Sequence, residues 1–125
     1  MNAKSIIIGA SILGLLSVTI GAFGAHGLES ILTAHARVDT FDTAVNYQFY
    51  HTVALLCLGI LMLHVQHKFL QYAAYAFIAG IVLFSGSLYV LSLTNITILG
   101  AITPFGGLAF MIGWLCLALG ISKRL

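Results

Sequence analysis

The chain has 125 residues, 61% of them hydrophobic and only 6% charged, and a net charge of +2. A water-soluble domain of this length needs far more charged surface, and so mild a positive balance gives no footing for nucleic acid. What remains is a protein whose solvent is largely lipid.

The positions of the charges set the number of membrane crossings. There are 24 uncharged residues between Lys4 and Glu29, 25 between Asp42 and Lys68, and 54 between Lys68 and Lys123. A bilayer core about 30 Å thick takes roughly 20 helical residues. At about 1.5 Å per residue the longest run would make a helix of about 80 Å, so it must fold back and cross twice. The expected fold is all-α: a single membrane domain over 1–125, with spans at about 5–25, 41–63, 70–93 and 98–121, in an antiparallel bundle.

The first span follows the basic start at Lys4. Lys4, the apolar run and the small residues up to Ala25 also fit a secretory signal. The apolar part, Ser5–Ala25, is longer than a usual signal core, so a retained helix is the preferred reading. Ser17, Gly21 and Ala25 recur every four positions, a spacing that lets another helix backbone come close.

The connection His26–Asp42 holds all three acidic residues. Leu28, Ile31 and Leu32 share a helical face, which predicts a short helix at the membrane surface. Asp39 or Thr40 is expected to cap the second span. That span opens with Phe-Asp-Thr-Ala-Val-Asn-Tyr-Gln-Phe-Tyr-His, residues 41–51, the most polar stretch of the chain. Asp42, Asn46 and Tyr50 line one stripe, while Tyr47, Gln48 and His51 lie on another side.

His64 to Gln71 is a short link. His64-x-x-His67 has helical ligand spacing, but a solvated link explains it more simply, and no metal site is assigned. The third span carries Ser85, Tyr89 and Ser92 on one face, and Thr94-Asn95-Ile96-Thr97 is the expected turn. In the fourth, Thr103-Pro104 permits a helix starting at the proline or one kinked there. Gly106, Gly113 and Gly120 repeat every seven residues, a smooth seam for helix packing. Cys57 and Cys116 lie in apolar runs and read as small buried hydrophobes.

With four crossings, Lys4, Lys68, Lys123 and Arg124 share one side and Arg37 stands on the other. The positive-inside rule then puts both termini in the cytoplasm. This topology is expected to gather a polar cluster in the outer leaflet: His26, Asn46, Tyr47, Gln48, His51, Ser85, Tyr89 and Thr103. Polar groups in hydrocarbon need partners, so these residues should face one another.

Phe23-Gly24-Ala25-His26-Gly27-Leu28, Thr43-Ala44-Val45-x-Tyr47-Gln48-x-x-His51, Gly86-Ser87-Leu88-Tyr89 and Thr103-Pro104-x-Gly106-Gly107 with Gly113-Trp114 occur in order along the chain. Together they resemble the small bacterial membrane proteins classed as domain of unknown function 423, which have a mitochondrial relative. The resemblance covers nearly the whole chain and implies a four-helix inner-membrane protein, with no established activity to carry over.

No nucleophile beside a base, no paired carboxylates and no H-E-x-x-H motif appear, so neither an enzyme nor a cofactor is expected. The reading is an accessory or interaction protein that supports membrane integrity or a partner complex, in contact with lipid and with a second copy or another membrane protein. The alternatives are a small oligomeric carrier or channel using a site around His26 and His51, and a haem-, metal- or quinone-binding membrane protein.

Overall fold

Two apolar helices in lipid gain nothing from hiding hydrophobic surface, because the tails around them are equally apolar; close packing and hydrogen bonds must hold them. The computed structural model describes residues 1–124 and shows where that packing occurs. Helix α1 runs Ala3–Ala25, α2 is the short Glu29–Ala34, and α3 runs Val38–Leu61. Helix α4, Lys68–Gly80, passes through a wide π turn at Ile81–Ser85 into α5, Gly86–Thr94. A 3₁₀ turn at Thr97–Ala101 leads into α6, Thr103–Arg124. Four stretches, α1, α3, the α4–α5 rod and the 3₁₀ turn with α6, are each long and apolar enough to cross a membrane. The 23 residues of α1 alone make about 35 Å of helix, enough for the hydrocarbon.

The spans alternate in direction. One end of the bundle, here the terminal end, carries the start of α1, the α3–α4 link and the end of α6. The other, the loop end, carries the α1–α3 connection and the α5–α6 turn. The expected surface helix is α2, and its Leu32 is buried while Ile31 is exposed. Helix α3 begins at Val38, one residue before the expected cap, and Arg37 gives it no side-chain cap. Asp39 instead lies inside the first turn, where its charge favours the helix dipole and its carbonyl accepts from the Thr43 hydroxyl. The turn in the long uncharged run falls at Asn95, whose left-handed φ of 57° closes α5. Of the two geometries open at Thr103-Pro104, the helix starts there, after the 3₁₀ turn.

Glycine decides which helices approach. Gly120 faces the Leu70 side chain, Gly113 faces the Phe77 ring and Gly106 abuts the Phe84 backbone, so the heptad of glycines on α6 meets a matching heptad of positions on the α4 rod. In the reverse sense Gly80 lies under Phe110. A Cβ on Gly113 would stand 2.6 Å from Phe77 Cδ1, and one on Gly106 would stand 2.6 Å from the Phe84 Cα. The seam predicted for Gly106, Gly113 and Gly120 is therefore filled from within the chain.

A second seam joins α1 to α3. Gly59 faces Ile7, Gly14 faces Thr52, Gly21 faces Val45 and Gly24 faces Phe41. The expected stripe of Ser17, Gly21 and Ala25 needs one correction: Ser17 is buried and Gly21 is in contact, but Ala25 is exposed. Helix periodicity of 3.6 rather than 4 rotates Ala25 off the face and brings Gly24 onto it. Helices α3 and α4 are central, and α1 and α6 flank them with one side each turned outward. Cys57 is exposed on α3, which corrects the expectation that it is buried, and Cys116 is half-buried.

Alanine at Gly113 should cost about 1–3 kcal/mol, because the neighbour is an aromatic ring locked in the core. Alanine at Gly9, where a Cβ meets nothing within 4 Å, should be neutral or slightly stabilising. Thermal unfolding of both variants in the same detergent checks this; equal stability of the two would contradict the seam.

Candidate functional site

The eight residues expected to form one outer-leaflet cluster divide by depth. Gly14 faces Thr52, so His51 lies level with residue 15 of α1, eleven residues from His26. At about 1.5 Å per residue they are roughly 16 Å apart along the bundle. His51 is the fourteenth of the 24 residues of α3 and sits at mid-span. His26 is exposed at the loop end, beside Phe23 and Gly27. Asn46 is also exposed, on a shallow groove with Ser17, Gly21 and Phe49. The two histidines do not share a site, and Asn46 lies outside the interior.

The other six residues are in or against the core. Gln48 is buried, accepts the Tyr89 hydroxyl proton at its Oε1, and donates from Nε2 to the Leu13 carbonyl at 3.2 Å. One amide thereby ties α3 to both α5 and α1. The Leu13 carbonyl also accepts from Ser17 Oγ at 3.0 Å. Ser85, fully buried, donates to the Ala44 carbonyl at 2.7 Å. The π turn makes this possible: the Gly86 N–H reaches back to the Ile81 carbonyl, five residues away, and the wide turn brings Ser85 against α3. Thr103 Oγ1 is 2.7 Å from Ser87 Oγ, which joins α6 to α5.

His51 is the centre of an aromatic group. Its Nδ1 lies 2.8 Å from the Tyr47 carbonyl, which can only accept, so Nδ1 carries the proton. Nε2 is then free to accept, and the Trp114 indole N–H donates to it at 3.0 Å. The ring stacks on Phe110 with centroids 3.6 Å apart and planes 10° apart. Tyr47, half turned to lipid, packs on Phe84 at 4.6 Å. Both nitrogens of His51 are engaged, so the residue serves as a neutral hydrogen-bonding joint between α3 and α6. Among the described residues, no group of three or more His, Cys, Asp or Glu could hold a metal ion. Among the described residues, Thr52 Oγ1 is buried without a hydrogen-bond partner.

Trp114 and Phe110 are the partners that sequence reasoning did not assign to the site. A signal was present: tryptophan favours the membrane interfaces, so one eleven residues into α6 marks an N–H needing an internal acceptor. His35 was also missed. It bridges to the Ser92 carbonyl at 3.0 Å, while Arg37 Nε donates to Asn95 Oδ1 at 3.1 Å. These two contacts strap the α1–α3 connection across the end of α5.

Fold and interior together define a polytopic integral membrane protein: four spans, close glycine contacts, and polar groups spent mostly on one another. Sequence comparison gives the family. Residues 20–107 match the model described as "Protein of unknown function (DUF423)", and the chain belongs to that family. It is 46% identical to the UPF0382 membrane protein YwdK of Bacillus subtilis, over 98% of this chain and 99% of that protein. It is equally identical to the UPF0382 membrane protein SH2409 of Staphylococcus haemolyticus, over 96% of this chain and 97% of the other. The UPF0382 inner membrane protein YgdD of Escherichia coli is 35% identical over 98% of this chain and 93% of its own length. No solved structure matches. The names of these relatives agree with the expected location, a multi-pass protein of the bacterial plasma (inner) membrane.

Trp114 is the chain's single tryptophan, so its emission reports directly on the His51 contact. His51→Leu should shift that emission to shorter wavelength by removing the acceptor of the indole N–H. It should also lower stability by about 0.6 kcal/mol, up to about 1.7. Unchanged emission from a folded variant would contradict the hydrogen bond.

Proposed function

We propose that the chain is an accessory membrane protein: a self-contained four-helix body whose outer helices meet a second copy or another membrane protein. The observation that carries this reading is how the interior is used. Gln48, His51, Ser85, Tyr89 and Thr103 are all bonded within the chain. Through Gln48, Ser85 and the His51–Trp114 bond, α3 is linked to every other span, as polar residues that fix helix register do. The outward faces of α1 and α6, by contrast, are open along their length, with Leu15 and Val18 on one and Met111 and Leu115 on the other.

A carrier using one site around His26 and His51 needs the two residues together, and their separation along the bundle counts against it. Axial ligation of haem or metal by His51 needs the nitrogen that Trp114 already holds. Photo-crosslinking groups at Leu15, Val18, Met111 and Leu115 test the proposal in intact membranes. Discrete protein adducts, of a second copy or of a partner, are expected from at least one outer face. Lipid adducts alone from all four positions would contradict it.

The charge count supports cytoplasmic termini. A green fluorescent protein fused after the last residue should then fluoresce. A dark fusion, with activity from a periplasmic reporter at the same position, would reverse the orientation.

A further inference from the structure

We propose that the terminal end is a binding surface for anionic phospholipid headgroups, centred on the first two turns of α4. The fold brings cations from three helices around those turns. On one side, the glycine seam runs to Gly120 against Leu70, so the last turn of α6 carries Lys123 and Arg124 beside the start of α4 and Lys68. On the other side, the Met1 ammonium donates to Gln71 Oε1 at 3.1 Å and to the Tyr75 hydroxyl at 3.2 Å. Lys4 follows one turn further along α1. These four side chains are exposed.

Nothing acidic from the protein's own side chains neutralises them. The three carboxylate side chains, Glu29, Asp39 and Asp42, all belong to the loop end, a full span away. Lys68 Nζ lies 5.8 Å from the centroid of the Phe69 ring. Depth agrees with charge: Tyr72 and Tyr75 are exposed on the same turns, and tyrosine so placed marks the headgroup level. A group of exposed cations with no acidic side chain at its level complements the phosphate of an anionic lipid, and each contributes about fivefold to the attraction.

The test uses the full-length protein in mild detergent, titrated with phosphatidylglycerol or phosphatidylcholine, with bound lipids counted by native mass spectrometry. Phosphatidylglycerol should be retained at least about tenfold more readily, and Lys68→Gln with Lys123→Gln and Arg124→Gln should reduce this on the order of fivefold per cation. Arg37→Gln, at the opposite end, should leave the preference unchanged. Equal retention of the two lipids, or full preference in the triple variant, would overturn the proposal. Should the triple variant fail to fold, salt titration of the unaltered protein decides: the preference should fall with added salt, and insensitivity to salt overturns the proposal. Inorganic phosphate in about tenfold excess over lipid should displace nothing. Displacement would show that these cations take free anions, and the lipid assignment would fall.

Discussion

The contact of glycine on α6 with large side chains on α4 is the constraint on which the other contacts depend. In lipid, a pair of helices is held by what a close approach allows, and every removed Cβ lets the backbones move nearer. Phe77 lying on Gly113 and Phe84 on Gly106 fix the axial register of α6. That register places Phe110 and Trp114 at the level of His51, where one stacks and the other donates its indole proton. It also brings Thr103 beside Ser87. Sliding α6 by one turn, about 5.4 Å, would break all of these contacts together.

The polar interior follows from the packing and does not compete with it. Amide, phenol, imidazole and hydroxyl groups are costly in hydrocarbon without partners. Here most of them spend their capacity on helix-to-helix bonds, and Gln48 alone reaches two neighbours. Such bonds add modestly to stability, yet they exclude alternative registers, because a shift leaves buried donors unmet. A body specified in this way has its two flanking helices and its charged end free for lipid and for other proteins, which is the basis of the functional reading.

Much of the fold was legible in the sequence because membrane crossings depend on where charge is missing. Gaps in charge gave four spans, and the spacing of Gly106, Gly113 and Gly120 gave the α6 face that packs. Depth was harder to read. Topology alone brings His26 and His51 toward the same end, but only the contacts of Gly14 with Thr52 and Gly21 with Val45 show that they lie at different levels. The small-residue stripe on α1 drifted for a related reason, since a strict four-residue repeat leaves the face by Ala25 and hands the contact to Gly24. The π turn at Ile81–Ser85 leaves no simple signature in the residue pattern, yet it brings Ser85 to Ala44. For His51, the sequence showed an ionisable residue in a span, and the structure supplied the indole and carbonyl that occupy it.

Phe77 and Gly113 fit each other, and a double-mutant cycle measures that fit directly. Phe77→Ala alone should cost about 3–5 kcal/mol, and Gly113→Ala alone about 1–3 kcal/mol. Combined, the two should cost at least about 1 kcal/mol less than their sum, because the methyl group enters space that the ring has vacated. Strict additivity in reversible unfolding from the same detergent would contradict the account.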